Sequence, residues 1–164
     1  MEKRGNAFKH GLRGTWCYNR WKSIRQRCYN PKYKEYHYYG GRGIKMCDAW
    51  AKDAKAFCDY IKSLPNYDKD NLGRGKLTID RIDNDGDYGP GNVRLVNCHI
   101  QAANQRIYKC NSTGFRGVSP SGKKFQARIR VNTKLIHLGS HATPELASQA
   151  RLDYINEHNL IEYL

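Results

Sequence analysis

Thirty residues in the middle of the chain, LTIDRIDNDGDYGPGNVRLVNCHIQAANQR, leave few ways to fold. Leu77 to Ile82 alternates as a short strand, and Asn84-Asp85-Gly86 is a strong turn signal. Asn92 to Val96 reads as a second strand after Pro90 and Gly91, and residues 98–108 suit a helix. Strand, loop, strand and helix so close together predict an antiparallel hairpin with a helix folded back on it. Asp80 ends the first strand, and the helix presents Gln101, Asn104 and Gln105 at i, i+3 and i+4, on one face. A carboxylate and an amide oxygen at one point, with places left for water and phosphate, suit a hard divalent ion such as Mg²⁺. Such an ion can stabilise the leaving oxygen of a phosphodiester.

The charge of the chain agrees with a polyanion partner. Its 164 residues carry 29 Lys+Arg against 15 Asp+Glu, a net +14. Residues 1–35 hold ten basic and two acidic groups, residues 36–108 eleven and nine, and residues 109–164 eight and four. The carboxylates therefore concentrate around the hairpin. Asp83, Asp85 and Asp87 read best as decoration of a solvated turn, and the Glu that a calcium loop needs is absent. Apolar residues at 39% exclude a disordered tail. No apolar run reaches the length of a membrane span, and MEKRGNAFKHGLRG has no signal-peptide core, so the expectation is an intracellular, cytoplasmic protein with six reduced cysteines.

Before the hairpin, Thr15 predicts a helix to about Cys28 with an apolar stripe of Cys17, Trp21, Ile24 and Cys28. Tyr29 to Gly43 reads as a Tyr/Gly loop. Asp48 then caps one helix through Ile61 that ends at Pro65. After Asn111-Ser112-Thr113-Gly114, a linker by composition, come strands at 115–119, 124–132 and 135–139 and a helix from Thr143-Pro144 to about His158. In the middle strand Gln126, Arg128 and Arg130 share one face, while Phe125, Ala127, Ile129 and Val131 face the helix.

The central segment resembles the HNH, or ββα-metal (His-Me finger), nucleases of the phage and homing endonuclease branch. The resemblance rests on Ile79-Asp80-Arg81, on Asn92-Val93-Arg94-Leu95 and on Gln101, with Tyr39-Gly40-Gly41-Arg42-Gly43-Ile44, Cys47 and Trp50 upstream. It implies Asp80 and Gln101 as ligands of Mg²⁺ or Mn²⁺, and Asn104 as the residue that orients the helix face or a ligand water. Where the family has a His as general base this chain has Arg81, which stays protonated and cannot accept a proton. Arg81 is then expected on the scissile phosphate, and His37 or Tyr39 as the group that activates water. Some members of the family carry structural zinc, but the cysteine spacings here lack the C-x₂₋₄-C pattern and fit buried apolar positions.

Residues 114–164 are similar to the AP2/ERF DNA-binding domain, through Gly114-Phe115-Arg116-Gly117-Val118, Phe125-Gln126-Ala127-Arg128-Ile129 and His137-Leu138-Gly139-Ser140. The resemblance implies a three-stranded antiparallel sheet packed on one helix, laid in the major groove of double-stranded DNA. Gln126, Arg128 and Arg130 would then reach base edges. Arg42, Arg116, Lys123, Lys124 and Lys134 would reach DNA as further contacts, chiefly to phosphate. The expected whole is an α+β chain: a nuclease domain at 1–108, a linker at 109–113 and a DNA-binding domain at 114–164. Its expected function is metal-dependent, sequence-preferring DNA cleavage of homing or restriction type, with a homodimer as the simple route to a double-strand cut. The alternative is a non-catalytic DNA-binding regulator with a degenerate nuclease site.

Overall fold

A computed structural model describes residues 11–73, 76–107 and 110–164. The basic residues before Gly11, the expected end of the central helix at Tyr108 and the first linker residue, Lys109, lie outside the described residues. The chain is α+β, with a two-stranded and a three-stranded antiparallel sheet. It divides into two units, residues 1–96 and 97–164. No helix among the described residues is long and apolar enough to cross a membrane.

The first unit opens with α1 (Trp16–Tyr29), started by the Thr15 hydroxyl, which accepts from Tyr18 N. Its buried residues are the expected four, Cys17, Trp21, Ile24 and Cys28. Two short 3₁₀ turns, Tyr36–Tyr38 and Gly40–Arg42, follow within the Tyr/Gly loop. Gly40 is required there, because any Cβ would run into the carbonyl oxygen of Cys28. The single helix expected from Asp48 is two helices, α2 (Asp48–Lys52) and α3 (Ala54–Ser63). The break is Asp53, which leaves the helical conformation at φ −130° and caps α3 by accepting from Lys55 N at 2.7 Å. Phe57, Cys58 and Ile61 of α3 are fully buried against Trp21 and Trp50, and Trp21 Nε1 donates to the Trp50 carbonyl at 2.6 Å.

The hairpin β1 (Thr78–Arg81) and β2 (Val93–Val96) is antiparallel, with Asp80 opposite Arg94 and Arg81 opposite Val93. Val93 and Leu95 join the core of the first unit. The segment at 45–47 docks alongside the hairpin loop. Tyr88 N donates to Lys45 O and Cys47 N to Tyr88 O, both at 2.8 Å.

The second unit begins with α4 (Cys98–Ala103), capped by Asn97, whose Oδ1 accepts from His99 N and Ile100 N. Its strands β3 (Val118–Ser121), β4 (Lys124–Val131) and β5 (Lys134–His141) form a sheet in sequence order, packed on α5 (Pro144–Glu157). Ile129, Ile155 and Tyr163 make one part of its core, and Ile100 and Ala103 of α4 pack on them. That contact explains why the division falls after Val96 instead of at 109–113. The stretch expected as a linker is a hydrogen-bonded turn: Asn111 Oδ1 accepts from Thr113 N and Gly114 N, and Asn111 Nδ2 donates to Phe115 O.

Candidate metal centre and nucleic-acid surface

Asp80 is 7% exposed and is the one buried carboxylate among the described residues. Arg94, its cross-strand partner, places both Nε and Nη2 3.2 Å from Asp80 Oδ2. Burial of an ionised carboxylate is costly unless it is paired, and this two-pronged guanidinium contact supplies the pairing. Asp80 therefore offers a hard anionic oxygen of the kind Mg²⁺ or Mn²⁺ prefers. Among the described residues no three His, Cys, Asp or Glu side chains are grouped to hold a metal, so an ion here would draw on amide oxygen, water and phosphate.

Arg81 does not reach outward as expected of a phosphate contact. It is 5% exposed, its guanidinium lies 5.2 Å from the Tyr39 ring centroid and 4.9 Å from that of Tyr88, and Nη1 donates to Gly86 O at 2.7 Å. The physical reason is the aromatic floor beneath the loop: a weakly hydrated planar cation is held well by ring faces and a carbonyl oxygen. Arg27 lies over Tyr39 as well, at 5.1 Å, and pairs with Glu35 at 2.6 Å. Burial, with Tyr39 adding to it, pushes the Tyr88 phenol well up, so it stays protonated at neutral pH. Tyr39 is thus brought beside Arg81, on the strand that carries Asp80. His37 is exposed and its ring lies 3.8 Å from that of Tyr38.

The carboxylates of the loop hold the loop itself. Asp83 accepts from Asp85 N, Asp87 accepts from Lys45 N at 2.8 Å, and Asp85 pairs with Arg42, which also donates to Tyr38 O at 3.1 Å. Asn92 is the brace that sequence reasoning missed. Its Oδ1 accepts from Asp83 N at 2.7 Å, and its Nδ2 donates to the carbonyls of Asp83 and Asp87. The available signal was a lone Asn after Pro-Gly at a strand start, where an amide can satisfy both sides of a loop.

Gln101 is half-buried in α4, and Asn104 is the residue that ends that helix. Both lie in the second unit, whereas Asp80, Arg81, His37 and Tyr39 lie in the first.

On β4 the alternation is as expected: Ala127 and Ile129 are buried, and Arg128 and Arg130 lie on the other face. Arg128 donates to Ser119 Oγ at 2.9 Å and Arg130 to Thr133 O at 3.3 Å. Gln126 is half-buried, while Lys123, Lys124 and Lys134 are exposed. A bulge between Gln126 and Arg128 sets Leu138 and Gly139 of β5 against Ala127 alone, and Gly139 there has φ +101°. Arg116, expected as a phosphate contact, is half-buried and donates to the main-chain oxygens of Leu164 at 2.6 Å and Gln105 at 2.8 Å. An arginine beside Gly117 reads as surface; its partners Gln105 and Leu164 draw it inward.

The buried cysteines sit in the core of the first unit. The hydrogen bond between Cys17 and Cys58 raises the first thiol and lowers the second, and burial pushes Cys28 up to about 11. Comparison with protein-family models, curated proteins and solved structures finds no match to this chain.

Proposed function

We propose that this chain is a metal-dependent DNA endonuclease whose second unit supplies DNA recognition. The observation that carries the reading is Asp80: a buried, arginine-paired carboxylate on an antiparallel hairpin, in a chain of net +14. In this reading Asp80 is a ligand of Mg²⁺ or Mn²⁺. The chemistry the ion supplies when bound is stabilisation of the leaving oxygen. His37 or Tyr39 activates water, and Arg128, Arg130 and the exposed lysines of the sheet hold duplex DNA. Arg81 supports Tyr39 and the loop from below.

The test is cleavage of a diverse duplex DNA pool by the full chain with Mg²⁺ or Mn²⁺. Cutting should stop on chelation, and Asp80→Asn should slow it about 100-fold or more while binding is retained. Tyr39→Phe and His37→Ala then separate the two candidate bases. An Asp80→Asn protein that cuts like wild type sinks the metal-site reading. One observation favours a second function, DNA binding without cleavage: the position of the family's base is held by an arginine sealed against two tyrosines. Duplex DNA that is bound tightly and left intact by both metals would decide for it.

A further inference from the structure

A pocket of about 400 Å³ lies within the second unit, and five arginines line it: Arg106, Arg116, Arg128, Arg130 and Arg151. No Asp or Glu is among its lining residues. Arg151, on α5, is the most deeply placed at 7% exposed, and its Nη2 donates to Tyr163 O at 2.6 Å. Its stem is seated on Gly117, where φ is +71° and a Cβ would lie 3.0 Å from Arg151 Cδ. The oxygens that fix Arg128, Arg130 and Arg151 are main-chain carbonyls and one serine hydroxyl. These acceptors are neutral, so the positive charge is oriented without being neutralised. The strain of that arrangement is visible at Arg151, which burial, with the charge of Arg116 adding to it, pulls down to about 10.

The backbone adds a donor to the same wall. The β3–β4 pairing runs from Val118↔Ala127 to Ser121↔Lys124, and Arg128 N donates to Gly117 O at 2.8 Å just beyond it. Strand alternation turns the N–H of Arg130 to that same edge, past the end of β3. The remaining lining combines an apolar wall of Ala102, Ala103, Ile107 and Ile129 with Tyr163, Gly117 and the polar side chains His99, Gln105 and Asn111. A cationic end beside an apolar wall, at this volume, matches an anion carried on a flat apolar body.

We propose that this pocket binds a phosphate monoester of nucleoside size, either a free mononucleotide or the phosphorylated end of a DNA strand. The guanidinium groups of Arg116 and Arg151 and a backbone N–H bind the phosphate oxygens, and the apolar wall takes the sugar and base. None of the five arginines belongs to the hairpin, so the proposal does not rest on the cleavage chemistry above, although Arg128 and Arg130 are shared with the DNA-binding reading.

Calorimetric titration of the full chain in 150 mM NaCl, with dTMP, thymidine, inorganic phosphate and a hexanucleotide with or without a 5′-phosphate, tests it. The expected result is saturable 1:1 binding of dTMP, with thymidine and inorganic phosphate each at least tenfold weaker. Tighter binding of the phosphorylated hexanucleotide than of dTMP assigns the pocket to strand ends, and the reverse order assigns it to free nucleotide. Arg151→Gln should weaken dTMP at least tenfold. Because a buried arginine also supports the fold, Ala102→Trp is the second variant: it fills the pocket from an exposed position and leaves all five arginines in place. Binding of thymidine as tight as dTMP, equal binding of the two hexanucleotides, or unchanged dTMP binding by folded Ala102→Trp would each overturn the proposal.

Discussion

Asp80 and Arg81 are neighbours in one strand, and their environments send them to different tasks. Asp80 meets a guanidinium; Arg81 meets two aromatic rings and a carbonyl oxygen and becomes part of the packing. Desolvated cation–ring contacts and a charged hydrogen bond together are worth about 3 kcal/mol, so Arg81→Ala should lower unfolding stability by about that amount in urea titration. A loss below about 1 kcal/mol would mean that the tyrosines and Gly86 contribute little. Cys28 gives a pH prediction. Its thiol titrates near 9 when unfolded and at about 11 when folded, so from pH 9 to 11 the unfolded chain loses a proton that the folded chain keeps. Stability is full below pH 9 and falls by about 2 kcal/mol by pH 11. In Cys28→Ala the Cys28 part of that decline should vanish, and an unchanged slope would assign all of it to other groups such as Tyr88.

At the level of elements, what could be read beforehand depended on how local the cause was. Helix α1 was legible from its Thr15 cap to within one residue of its end, because that cap and the four-residue stripe act within the helix itself. The split between α2 and α3 was hidden, because Trp50, Ala54, Phe57 and Ile61 keep helical spacing across Asp53 and the cap is visible only in its bond to Lys55. Asp80 was legible as a candidate; the inward turn of Arg81 was not, since it depends on Tyr39, 42 positions away in sequence. The partner of α4 was hidden for the same reason: Ile100 and Ala103 find Tyr163 at the far end of the chain. Helix α4 is six residues long, too short to hold without its cap and that packing. Asn97→Ala should therefore cost about 1 kcal/mol, and Asn97→Asp should recover most of it. If Asn97→Ala leaves thermal unfolding unchanged, the packing on Tyr163 alone holds the helix.

For the whole molecule the question is how much of the +14 would act on DNA in the proposed reading. In α1, Arg20 and Arg25 lie over Trp16 and Trp21 and Arg27 pairs with Glu35, so part of the N-terminal charge is engaged within the first unit. Around the sheet, Lys123, Lys124, Arg130 and Lys134 are exposed, and residues 110–143 include no acidic residue. About five phosphate contacts would give a slope near −4.5 for log K against log salt, and therefore about a 500-fold loss of duplex affinity from 50 to 200 mM salt. Replacing Lys123 and Lys124 together by Ala should reduce the magnitude of that slope by about 2, uniformly across sequences. Replacing Arg128 and Arg130 should instead erase preference between sequences, because paired guanidinium bonds to base edges carry discrimination that phosphate contacts do not. Fluorescence anisotropy against a target and a scrambled duplex separates the two effects. If the lysine and arginine pairs change slope and preference alike, the sheet binds DNA only as a charged surface, and selection of sequence resides in another part of the chain.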